Sequence, residues 1–77
     1  MNRQDRILTL IRQVAKKPVQ PATDESLFET GILDSFSLPD LVSALEAEFG
    51  IEVPDSDLNP RKFASIARID SYLESRL

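Results

Sequence analysis

The sequence predicts an all-α fold: a small four-helix bundle, three longer helices and one short one, spanning residues 1–77 as a single domain. Three observations lead there. Apolar residues recur at spacings of three and four in three separate stretches, the spacing that lines side chains along one helix face. Helix-capping residues stand before these stretches, and Pro18 and Gly50 close two of them. The chain has 77 residues, and a domain near that size buries only roughly 60% of its unfolded surface, enough for one small core.

The first helix is opened by Asn2, whose side chain suits an N-cap, with Asp5 at the third helical position near the positive end of the helix dipole. Ile7, Leu10, Ile11 and Val14 form its stripe, widened by Leu8 and Ala15. Lys16 and Lys17 suit its C-terminal end and Pro18 stops it. Residues 18–34 lack a long period. A loop of that length in a compact domain carries either function or some structure of its own. Leu27, Phe28, Ile32 and Leu33 can pin it to the core, and Gly31 permits a turn that other residues resist.

The second helix presents Leu38, Leu41, Val42, Leu45 and Phe49 on one face, with Gly50 as C-cap. Pro39 restricts its start, because proline lacks an N–H and belongs in a first turn. Ser37-Leu38-Pro39-Asp40 reads as a capping box, with Ser37 as N-cap and Asp40 reaching back. That places the regular helix from Ser37 and leaves Asp34, Ser35 and Phe36 at its mouth. The competing start is Ser35, with a local adjustment at Pro39. Beyond Gly50, Ile51-Glu52-Val53-Pro54 is extended. Asn59-Pro60 then opens the short helical turn through Phe63. Ser65 caps a last helix with Ile66, Ile69, Tyr72 and Leu73 on one face.

Composition removes whole classes of chemistry. The chain has no cysteine and no histidine, which excludes disulfides, thiolate nucleophiles and the usual general base near neutral pH. A serine nucleophile needs a base, and an exposed Asp34 of ordinary pKa beside Ser35 is a poor one at neutral pH. The expectation is a protein without catalysis of its own. Asp55, Asp57 and Asn59 have the alternate spacing of a calcium loop, but Pro60 and Ile66 stand where it needs glycine and a bidentate glutamate. No metal site is expected, and Asp55 and Asp57 read as turn residues and exposed charge. No apolar run reaches membrane-helix length, and the N-terminus has no signal-peptide core. A soluble, cytoplasmic monomer is the expectation.

Charge is segregated. Between Lys17 and Arg61 there are ten acidic residues and no basic one, within a net charge of −4. Such a middle repels nucleic acid and attracts a partner with a basic surface; the plainer reading is a solvated acidic face. At 100° per residue, Phe36 falls opposite the apolar stripe, with Asp40, Ser43 and Ala47. A large aromatic facing water beside acidic residues suggests a docking surface, unless Phe36 curls into the core from the irregular segment before Ser37.

These residues resemble the acyl carrier proteins. Asp34-Ser35-Phe36 stands where that family has its Asp-Ser-apolar motif, at the start of the second of four helices. Residues 41–50, Leu41 to Gly50, are similar to the family's acidic second helix. Ile51 to Pro54 looks like the family's extended segment after that helix, and Phe63 and Ser65 to Leu73 look like its third and fourth helices. The resemblance covers essentially the whole chain. It implies an acyl-carrier-like bundle that bears 4'-phosphopantetheine covalently on Ser35, the cofactor supplying the thiol that the chain lacks. It implies a phosphopantetheinyl transferase as one partner. Further partners would be an acyl or aminoacyl ligase, a synthase or an acyltransferase with a basic docking surface. By position, Asp34, Phe36, Asp40, Ser43, Glu46 and Ala47 would be partner contacts. Two departures stand out: Ser37 replaces an acidic residue common in fatty-acid carriers, and Gly31 lies three rather than two before Asp34. The string from Leu27 to Phe36 looks more like D-alanyl carriers and other stand-alone carriers served by adenylating ligases. The resemblance thus implies a stand-alone acyl carrier, with an aminoacyl carrier as the alternative. A helical interaction module that uses Ser35 merely as a cap is the reading outside the family.

Overall fold

The computed structural model describes residues 2–77. Three α-helices form: α1 at Arg3–Ala15, α2 at Ser37–Phe49 and α3 at Ile66–Arg76. A single 3-10 turn lies at Asp55–Asp57. The short helix expected after Asn59 is instead a turn over residues 60–63, so the described residues hold three α-helices rather than four. The reason is local. Asn59 does cap, its Oδ1 accepting the Lys62 N–H at 3.2 Å, but Ser65 caps α3 only six residues later by accepting the Arg68 N–H. Phe63 meanwhile is driven fully into the core. No span remains in which a helix could propagate.

The expected stripes meet in one core. Ile7, Leu10 and Ile11 of α1, Leu38, Leu41, Val42 and Leu45 of α2, and Ile66, Ile69 and Leu73 of α3 are buried together with Leu27, Leu33, Val53 and Phe63. Phe49, expected inside, is only partly buried. It closes the edge of the core with the Arg6 guanidinium stacked 4.5 Å from its ring centroid. α1 packs against both α2 and α3, and its polar contacts set the directions. Arg6 of α1 pairs with Glu48 at the far end of α2, at 2.8 Å. Arg3 bonds Asp70 and lies near Glu74, toward the end of α3. α1 therefore runs antiparallel to both, and the beginnings of α2 and α3 share one pole of the molecule.

The loop between α1 and α2 is ordered by backbone bonds. The Leu27 N–H donates to the Ala64 carbonyl at 2.7 Å, the Leu33 N–H to the Leu27 carbonyl at 2.9 Å, and the Ala67 N–H to the Thr23 carbonyl at 2.9 Å. Leu27 and Leu33 are buried, while Phe28 and Ile32 flank the core. Gly31 takes φ +79°, where a side chain would be strained. The chain is thereby fastened one residue before Asp34.

Candidate functional site

The site is built on the first turn of α2. The side chain of Asp34 performs the capping that sequence reasoning gave to Ser37. Its Oδ1 accepts the Phe36 N–H at 2.9 Å, the Ser37 N–H at 2.8 Å and the Ser37 hydroxyl at 3.0 Å. Its carbonyl accepts the Ser37 and Leu38 N–H groups, each at 3.1 Å. The capping box fails because Ser37 already has helical partners and donates its hydroxyl to Asp34. The signal was present: Asp34 stands three before Ser37, as the capping residues Asn2, Asn59 and Ser65 stand three before Asp5, Lys62 and Arg68. The regular helix still begins at Ser37, and Pro39 lies in its opening turn, where its missing N–H matters least.

Capping leaves Ser35 and Phe36 outside the regular helix and facing water. Ser35 is exposed. Phe36 has 88% of its surface accessible, so the aromatic does not curl into the core. Asp40, Ser43 and Ala47 are exposed on α2. Glu46 differs: its carboxylate accepts the Val53 N–H at 2.9 Å and it is half-buried, fastening the extended 51–54 segment to α2. Of the six acidic or neighbouring positions expected to meet partners, Asp34 is spent on capping and Glu46 on the fold. Phe36, Asp40, Ser43 and Ala47 form the open face.

The electrostatics separate Ser35 from catalysis by its neighbour. The Ser37 backbone N–H, then the Ser37 hydroxyl, hold the Asp34 carboxyl below its ordinary value, with the Phe36 N–H adding to the effect. Asp34 is thus a weaker base than a free aspartate. Its one bonded oxygen already accepts three hydrogen bonds, so it orients the turn that presents the Ser35 hydroxyl.

Asp57 departs from expectation. It is not free exposed charge: its Oδ2 accepts the Tyr72 hydroxyl at 2.7 Å and its Oδ1 the Lys62 ammonium at 2.9 Å. The Tyr72 bond, then the Lys62 bond, lower its pKa. The Tyr72 ring also packs on Phe63 at 5.1 Å between centroids. This triad straps the 55–63 segment to α3. Spacing along the chain carried no sign of it, since Asp57 and Tyr72 lie fifteen residues apart. Among the described residues there is no cluster of potential metal ligands, and no helix is long and apolar enough to cross a membrane.

Compared with known families, residues 5–69 match the one described as phosphopantetheine attachment site. The chain belongs to that family of carrier proteins. Curated relatives are of two kinds. The D-alanyl carrier protein of Streptococcus suis is 32% identical over 71 residues, covering 92% of this carrier and 90% of the relative. A second D-alanyl carrier protein, from Leuconostoc mesenteroides, is 25% identical over 75 residues, covering 97% and 96%. The mitochondrial acyl carrier protein of Dictyostelium discoideum is 36% identical over 69 residues, covering 90% of this carrier but 56% of the relative. Membership implies a covalently attached 4'-phosphopantetheine, and the structure fits it. Ser35 is exposed, in a turn that the Asp34 carboxylate holds through Phe36 and Ser37. Once bound, the arm would contribute a terminal thiol to a chain that has no cysteine.

Proposed function

We propose that this carrier receives phosphopantetheine on the Ser35 hydroxyl and holds an acyl group on that arm as a thioester for partner enzymes. The carrying observation is the exposed Ser35, held by the triple bonding of Asp34 at the start of α2. In attachment the Ser35 Oγ attacks the pantetheine-bearing phosphorus of coenzyme A: a phosphodiester forms at Oγ, the pyrophosphate P–O bond breaks, adenosine 3',5'-bisphosphate leaves and the hydroxyl proton is released. Asp34, acidified by its donors, does not take that proton; the base belongs to the phosphopantetheinyl transferase. Phe36, Asp40, Ser43 and Ala47 supply the face on which the transferase and a ligase, synthase or acyltransferase settle.

A second reading, an aminoacyl cargo loaded by an adenylating ligase, is supported by a specific finding. The D-alanyl carriers of Streptococcus suis and Leuconostoc mesenteroides match over 90% and 96% of their own length, and the acyl carrier relative over 56% of its own. Loading assays with the cognate ligase and fatty, aryl and amino acids separate the two.

The attachment is tested by intact mass after incubation with coenzyme A and a broad-specificity transferase. Wild type gains one phosphopantetheine and Ser35→Ala gains none. Addition at Ser37, or none to wild type with several transferases, overturns the assignment.

A further inference from the structure

Beside the acidic α2 face the molecule has a feature of opposite sign. An open groove of about 620 Å³ runs along the first turns of α3, lined by Asp24, Arg61, Lys62, Arg68, Ser71 and Tyr72 among others. Three cations and one carboxylate thus converge on a chain of net charge −4. Lys62 is occupied by Asp57. Arg61 and Arg68 are exposed, and among the described residues neither has an ion-pair partner. The groove's floor is held firmly. The Ala67 N–H is tied to the Thr23 carbonyl, Ser65 caps α3, and Tyr72 is braced by Asp57 and Phe63. Because α2 and α3 begin at one pole, the groove, lined from Arg61 through the first turns of α3, lies toward the pole that bears Ser35.

We propose that this groove docks an extended acidic segment of a partner protein. Its lining is drawn from three separate parts of the chain, around Asp24, Arg61 to Ser65 and Ala67 to Tyr72, a broader surface than a single phosphate or carboxylate covers, and it includes Tyr72 and Ala67 as apolar surface beside the charges. Asp24, the one carboxylate in the lining, disfavours an occupant that is anionic on all sides. An extended segment suits such a lining: its alternate side chains point to opposite sides, so it can turn acidic side chains to the arginines and apolar ones to Tyr72 and Ala67. Arginine is suited to such contacts by its planar, fixed donors. The overall negative charge repels a uniformly acidic protein at long range. The partner must therefore be mixed, with a basic patch for the α2 face and an acidic strand for the groove. Two contacts of opposite sign at one pole would set the orientation in which Ser35 is offered, and the groove's charge does not depend on Ser35 being modified.

The test uses the full chain, ¹⁵N-labelled, titrated with a six-residue peptide alternating glutamate and leucine, about 20 Å long when extended. Parallel titrations use its lysine counterpart and inorganic phosphate at matched ionic strength. Amide shifts are expected to cluster at Arg61, Lys62, Arg68, Ser71 and Tyr72 with the glutamate peptide alone. Arg61→Glu/Arg68→Glu should weaken binding at least tenfold, and Arg68→Gln about threefold. Ser75→Glu, which makes the same net-charge change as Arg68→Gln at the other end of α3, should alter it less than twofold. Arg68→Gln removes only an exposed charge, so it serves if the double variant does not fold. Scattered shifts, equal binding of the lysine peptide, or equal weakening by Ser75→Glu overturn the proposal. The same shifts from phosphate at comparable concentration overturn it in favour of a small-anion site. Phosphopantetheinylation of wild type, followed by intact mass, reads the Ser35 assignment separately.

Discussion

At the scale of single residues, the site depends on Asp34. Its side chain serves as helix cap, and the same bonds that make it a cap lower its basicity. That division sets the character of the Asp-Ser pair in a histidine-free chain: the aspartate is engaged in shaping the turn that presents the hydroxyl and is a weakened base beside it. Asp40 differs, being exposed and outside the capping network, while Glu48 is held by Arg6. Asp40→Lys should therefore slow phosphopantetheine transfer to Ser35 more than Glu48→Lys, each variant being checked for folding. An exposed ion pair contributes only about 0–1 kcal/mol, so the difference should be a few-fold. It should shrink as added salt shortens the Debye length below about 8 Å. Phe36→Ala should also slow transfer, but with little response to salt, since it removes apolar contact. Rates for the three variants across a salt series check this; equal behaviour of Asp40→Lys and Glu48→Lys would remove the docking face.

At the scale of elements, α2 couples core and site. Its inner stripe was legible from period alone, because burial of Leu41 and Leu45 needs only the helical repeat. Leu45 is fully buried, and Leu45→Ala should cost about 2–5 kcal/mol in chemical denaturation. A loss below about half a kcal/mol would contradict the packing. The outer end was read less completely. Sequence placed Ser35 and Phe36 correctly at the mouth of α2 but assigned the cap to Ser37, because the box pattern Ser37 to Asp40 and the cap pattern Asp34 to Ser37 share a residue. Only the direction of the Ser37 hydroxyl distinguishes them. The Glu46–Val53 bond and the Asp57–Tyr72–Lys62 strap were hidden for a different reason: they are tertiary, and no local period reports which charged side chains turn inward. The turn opened by Asn59 and running to Phe63 is present as read, but it does not count as a fourth helix, because a good cap stands there without the length to use it.

At the scale of the whole molecule, stability should follow the carboxylates. The Arg3 hydrogen bond, then that of Gln4 and the Arg3 charge, lower the pKa of Asp70, and those of Asp34 and Asp57 are lowered too. A carboxyl depressed on folding adds stability that is complete above its unfolded pKa, about 3.9, and is lost as pH falls through the folded value. Tyr72 is shifted the other way, raised by desolvation and by Asp57. Its contribution is complete below about pH 10 and declines as pH rises through the folded value. No histidine titrates between. The expected profile is a plateau from about pH 5 to pH 9 with losses at both ends. Denaturation midpoints from about pH 3 to about pH 11 check it. The difference between wild type and Asp70→Asn should narrow below about pH 4.

The antiparallel setting of α1 has a consequence for how the molecule can be tethered. Arg3 meets Asp70 and Glu74, and Arg6 meets Glu48, so the outer ends of α1 and α3 gather at one pole while Ser35 stands at the other. Along α2 alone, thirteen residues at about 1.5 Å each separate the poles by about 20 Å. A linker or a fused neighbour at either end would therefore leave the pole that bears Ser35 unobstructed. Anchored by its ends, the carrier would still be free to swivel its cargo between enzymes placed around it.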